Sequence, residues 1–180
     1  IAAADSTRID LLSRLGALSL ADENDDAAIS YFRDALDIDP SLEAPKIQLV
    51  KLHRVREDWE ELVSILRMRL DEVDDVDNKI EILGQIAEVQ ERKIQSLDDA
   101  IDTFKDILSY STANVYAVTS LERLLPTVDD WNGLLDVYEQ KKTLFADPRS
   151  RAQVDFQIGQ LLYEHLEQPE AALEAFRLVL

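Results

Sequence analysis

Phe32, Phe104 and Phe176 stand at intervals of 72 residues, and so do Ala28, Ala100 and Ala172. Trp59 and Trp131 share the interval. Around them Leu49 answers to Leu121, Leu52 to Leu124, Asp58 to Asp130 and Leu62 to Leu134, without a gap. Three independent sets of landmarks on one period define a repeated unit, which constrains the fold more than any composition can. Two kinds of segment alternate within the period, one carrying Gly, Ala and Phe and one opening on Asp-Trp. Each averages 36 residues, so five fill the 180.

Each segment reads as two short amphipathic helices. In the first segment, apolar residues recur every three or four positions on both sides of the acidic turn 22–26. Ile9, Leu12, Leu15 and Leu18 are expected to face inward from the first helix, capped by Asp5 or Ser6. Ala28, Ile29, Phe32, Ala35 and Leu36 face inward from the second, which Pro40 ends for want of an N–H. Gly16, Ala28 and Ala35 are small where two backbones must approach, and Phe32 fills the space between them. The same reading places helix pairs at about 6–40, 41–74, 76–110, 112–146 and 148–180 of a single domain. Four more residues separate Gly84 from Phe104 than Gly16 from Phe32, which predicts a longer first helix in the third pair, by about one turn. Trp59 and Trp131, each followed three positions on by Leu, are expected in the core. Acidic residues open every second helix (Asp25 and Asp26, Glu57 and Asp58, Asp98 and Asp99, Asp129 and Asp130, Glu170), where free N–H groups and the helix dipole favour negative charge.

Composition bounds the function. The formal charge of −18 repels nucleic acid and anionic lipid, and it favours a basic partner. No apolar run approaches the ~18 residues of a membrane span, so no membrane insertion is expected. Without cysteine there is no disulfide, thiolate zinc site or cysteine nucleophile. The compartment stays open, the cytoplasm being the default for a stretch without a targeting signal. The chain opens on Ile1, and Ile1-Ala2-Ala3-Ala4 is too short for a secretion signal, so a piece of a longer protein is expected.

Catalytic and metal chemistry finds no foothold. His53 and His165 fall in no H-E-x-x-H motif and are expected at the surface. The turn 22–26 would need Gly and Glu at the sixth and twelfth positions of a calcium loop, where Ala27 and Arg33 stand. No glycine-rich phosphate loop or G-x-S-x-G elbow occurs. The carboxylates are accounted for as helix caps and solvated faces. No enzyme activity and no cofactor are expected.

Leu12-x-x-Leu15-Gly16, Ala28-x-x-x-Phe32 and Pro40 together resemble the tetratricopeptide repeat, W-x2-L-G-x2-Y followed by A-x3-F and P. Leu83-Gly84 with Ala100-x-x-x-Phe104, and Ile158-Gly159 with Ala172-x-x-x-Phe176, repeat the pattern. The alternation with Trp segments is similar to long bacterial arrays of this family. In the Trp segments Val50 and Glu122 replace the Gly, and the indole is expected to fill the gap. The resemblance implies an all-α solenoid of about five antiparallel helix pairs in a right-handed superhelix. It further implies a non-catalytic scaffold that holds a protein or peptide on the face lined by first helices.

Carried over position by position, that face comprises Asp10, Ser13 and Ala17; Ile47, Lys51 and Arg54; Asn78, Glu81, Gln85 and Glu88; Tyr116, Thr119 and Arg123; and Gln153, Phe156, Gln160 and Tyr163. Lys51, Arg54, Asn78, Gln85, Tyr116, Arg123, Gln153, Gln160 and Tyr163 are the candidate partner contacts. Family members that grip a chaperone's C-terminal carboxylate use Lys and Asn where Ser13 and Ala17 stand, so that ligand is not expected. Two alternatives follow from the apolar ending Phe176-Arg177-Leu178-Val179-Leu180: a spacer inside a longer array with recognition or catalysis in flanking domains, or self-association through uncapped ends.

Overall fold

The computed structural model describes residues 3–179, and among them there is helix and turn but no strand. Ten α-helices follow one another: α1 (Ala3–Ala21), α2 (Asp25–Ile38), α3 (Glu43–Arg56), α4 (Trp59–Leu70), α5 (Val76–Val89), α6 (Leu97–Tyr110), α7 (Val115–Leu124), α8 (Trp131–Thr143), α9 (Pro148–Glu164) and α10 (Pro169–Arg177). A π-turn (Gln90–Ile94) prolongs α5, and a 3-10 turn (Leu125–Val128) prolongs α7. The chain forms two compact units, Ile1–Ile94 and Gln95–Leu180. Within the first, α1 packs on α2, α2 on α3, α3 on α4 and α4 on α5; within the second, α6 through α10 do likewise. Contact restricted to sequential neighbours is what defines a solenoid, because no helix can bury its stripe alone. The fold is an all-α solenoid of the tetratricopeptide type.

The period extends into the backbone. Glu23, Gln95 and Glu167 have φ of 57°, 62° and 52°, and Glu57 and Asp129 have φ of 60° and 57°. These are all the positive-φ residues among those described, and both sets recur every 72 positions. Each follows the end of a helix in the left-handed conformation that favours Gly, yet none is Gly, and Glu57 and Asp129 are the C-terminal caps themselves. Asp58 and Asp130 donate N–H to the carbonyls of His53 (2.9 Å) and Leu125 (3.1 Å), closing the turns after the helices they follow. Glu57 and Asp129 therefore end a helix instead of opening the next one. N-caps keep the same step: Asn24, Ser96 and Gln168; Asp58 and Asp130; Asp75 and Asp147. Asp147 accepts from the Ser150 backbone N–H, and this bond holds its carboxyl below the usual range. Asp5 falls in the first turn of α1 and does not precede the helix.

The first unit's core joins Ala28, Phe32 and Leu36 of α2 to Leu49 and Leu52 of α3, Leu62 and Leu66 of α4, and Ile82 and Ile86 of α5. Phe32 lies on Gly16, where an added Cβ would come within 2.6 Å of the ring; Gly159 and Phe176 repeat this at 2.5 Å in the second unit. For Gly16→Ala, the gain in helix propensity of about 1 kcal/mol is outweighed by about 1–3 kcal/mol of overpacking against a closed-in ring. Urea unfolding should show a net loss of about 1 kcal/mol. In the third pair the corresponding small residue is Ala87, fully buried and 72 residues before Gly159; Gly84, a turn earlier, is half-buried. Measured from Ala87, the spacing to Phe104 equals that from Gly159 to Phe176, so the longer first helix expected from Gly84 is not found.

Three expectations about burial are also corrected. Leu15 (41% exposed) and Leu18 (62%) point outward with Leu11, because Gly16 occupies the inward position beside Phe32. His53 is buried, its Nδ1 3.2 Å from Asp58 Oδ2 and its Nε2 without a partner. Trp59 and Trp131 are half-buried and form the walls of grooves.

Candidate functional site

The caps that start α4 and α8 place an indole at the first helical position, beside the end of the preceding helix. In the first unit Trp59 meets Arg54 from α3, Gln85, Glu88 and Val89 from α5, and Arg92 and Lys93 from the π-turn. Together they line a groove of about 600 Å³. The Lys93 ammonium lies 4.9 Å from the indole centroid, within cation–π range. Arg54 donates to Gln85 Oε1 at 3.3 Å, and Arg92 to Glu88 Oε1 at 2.8 Å.

The second unit builds the same groove one period later. Pro126, Trp131, Gln157, Gln160, Leu161, Glu164 and His165 stand 72 residues after the seven lining residues of the first, joined by Leu134 and Tyr138. His165 stacks flat on Trp131, centroids 3.7 Å apart and planes at 16°, where Lys93 covers Trp59. This groove holds about 260 Å³. Burial, with a smaller push from Glu122, raises the Tyr138 hydroxyl above its ordinary pKa. Nearby, a hydrogen bond from Lys142 to the nearly buried Asp155 keeps the ammonium charged to higher pH than usual.

Of the candidate contacts in the first unit, Arg54 and Gln85 come together in the groove, while Lys51 and Asn78 are exposed outside it. In the second unit Gln160 lines the groove, and Gln153, Arg123 and Tyr163 (65% exposed) are at the surface. Tyr116 is 48% exposed and meets Phe104 edge-on at 5.4 Å. Lys93, Arg92 and His165 line the grooves although they are not among the candidate contacts. The signal that could have found them is the period itself, which puts Lys93 and His165 in register just as it does the two Trp. Among the described residues no cluster of three or more potential metal ligands occurs, and no helix is long and apolar enough to cross a membrane.

Sequential helix pairs around small-residue contacts, with first-helix side chains left in solvent, define an all-α helical-repeat fold of the tetratricopeptide type. Among solved structures, the chain is similar to a MamA structure (AMB-1) at 16% identity and TM-score 0.50, covering 97% of this chain and 91% of that one. It is also similar to YrrB, described as a TPR protein with an unusual peptide-binding site, at 15% identity and TM-score 0.47, covering 93% and 82%. MamA from Desulfovibrio magneticus RS-1 gives 14% identity, TM-score 0.46 and coverage of 96% and 93%. At 16% identity the likeness to the first of these is one of fold. No family model and no curated protein matches.

Proposed function

We propose that the chain is a non-catalytic scaffold that holds a protein or peptide partner on the exposed residues of its first helices. The observation that carries this reading is the aromatic exposure on α7 and α9: Tyr116, Phe156 (46%) and Tyr163 stand in solvent on helices whose other sides are core. Large aromatic side chains that remain exposed offer contact area at low entropic cost. The net charge of −18 favours a basic partner. A partner captured from the native source should be lost on Tyr116→Ala, Arg123→Ala and Tyr163→Ala, each removing at least about tenfold in affinity as an interface anchor does. Unchanged binding by all three rejects this face.

A second reading is favoured by two other sets of exposed apolar residues, Leu11, Leu15 and Leu18 on α1, and Leu173 on α10 with Leu178 and Val179 just after it. A further helix pair of a longer array, or a second copy, would cover them. In the same capture experiment, Leu15→Lys separates the two readings. It leaves a partner held through α7 and α9 bound, whereas it abolishes association that runs through the leucines of α1, together with any dependence of mass on concentration.

A further inference from the structure

We infer that the Trp59 groove of the first unit is a receptor for an acidic peptide segment, whose carboxylates seat on Arg54 and Lys93 while an adjoining apolar side chain lies on the indole. The inference rests on the scaffold reading only for the peptide nature of the occupant. Charge carries the rest. The chain has 37 acidic residues against 19 basic ones, yet three cations line this one groove. Its single acidic lining residue, Glu88, is tied to Arg92. Among the described residues, Arg54 has the neutral Gln85 amide as its partner and Lys93 has the face of Trp59. In a chain this rich in carboxylates, two groove cations without an acidic partner are available to an incoming anion. A carboxylate entering beside the indole would be bound by charge-assisted hydrogen bonds instead of by water.

The second unit supplies the comparison. On the same framework, Pro126 replaces Arg54, Glu164 replaces Arg92 and His165 replaces Lys93, so the permanent cations are gone and the imidazole lies flat on the indole. Anion selectivity thus belongs to the first copy of a repeated groove. It was not visible in single residues, because Arg54, Arg92 and Lys93 are ordinary solvated helix residues until the end of α5 and its π-turn bring them onto Trp59.

The test uses the whole chain carrying Trp131→Phe, so that Trp59 alone fluoresces. It is titrated with a blocked, Glu-rich peptide of about eight residues containing one Leu, and with the same peptide in which Gln replaces every Glu. The acidic peptide should change the Trp59 signal and bind at least tenfold tighter than the Gln peptide, with the difference shrinking in high salt. Arg54→Gln combined with Lys93→Gln, both at exposed positions, should weaken the acidic peptide at least tenfold and leave circular dichroism unchanged. Calorimetry on the unmodified chain with the two peptides repeats the comparison without any variant. Equal affinity for the two peptides, no effect of the double substitution, or an equal response to inorganic phosphate alone at the same concentration would overturn the proposal. Failure here with capture on Tyr116, Arg123 and Tyr163 intact removes the groove and leaves the scaffold.

Discussion

Phe104→Ala should lower the stability of the second unit by about 3–5 kcal/mol, the range for emptying a fully buried aromatic site. Phe104 is 0% exposed, among Ala100, Ile101, Ile107 and Leu108 on its own helix, and it meets Tyr116 of α7 edge-on. Nearest-neighbour packing leaves no distant element to fill the cavity, so the loss should sit near the top of that range. The edge-on pair adds about 0.5–1.5 kcal/mol beyond area burial. Urea unfolding followed by circular dichroism measures the shift. Val115→Ala, at a position 65% exposed on the same α7, should move the midpoint by less than about 0.5 kcal/mol. Because Tyr116 loses its support, the Phe104 variant should also weaken any partner bound through α7.

The second large effect concerns a buried ammonium. Lys46 on α3 is completely enclosed, and its Nζ lies 2.6 Å from Glu72 Oε2, whose side chain is 31% exposed. One period later the same position is Val118, so an apolar side chain satisfies this site of the fold. Removing the carboxylate alone leaves an uncompensated buried charge. Glu72→Ala should therefore cost about 3 kcal/mol, the lower end for breaking a buried pair because Glu72 still reaches water. Lys46→Met, which removes the charge and keeps the volume, should change stability by less than about 1 kcal/mol in either direction. In the double variant most of the Glu72→Ala loss should disappear. That non-additivity, read from urea unfolding of the four proteins, separates a buried-charge penalty from simple loss of packing.

The repeat was legible because it is written in residues whose roles are not interchangeable. Phe32, Phe104 and Phe176 need a small partner, and Pro40 and the capping Asp residues mark helix ends. Tertiary placement was harder to read. Lys46 and His53 look like ordinary polar positions on α3, and only their counterparts Val118 and Leu125, both buried, betray that the sites face inward. Leu15 and Leu18 read as core because a stripe of leucines permits two rotations of α1, and the Gly16 contact with Phe32 selects one. The left-handed helix ends escaped because Glu, Gln and Asp stand where Gly would announce them. Gly133 shows how one residue resets a cap. Its missing Cβ lets Asp130 accept from the Gly133 N–H at 2.8 Å, whereas Glu61 holds that position in the first unit and Asp58 turns instead to His53 and Arg56. The grooves required both Trp and the turns that cover them, which no single window of sequence contains.

A photo-crosslinking amino acid placed in turn at Tyr163 on α9 and at Leu173 on α10, both exposed, tests the central claim most directly. The first-helix scaffold predicts that the native partner is captured from position 163, that excess unlabelled chain competes it away, and that position 173 captures little. Equal capture from both positions, or capture from 173 alone, would contradict it.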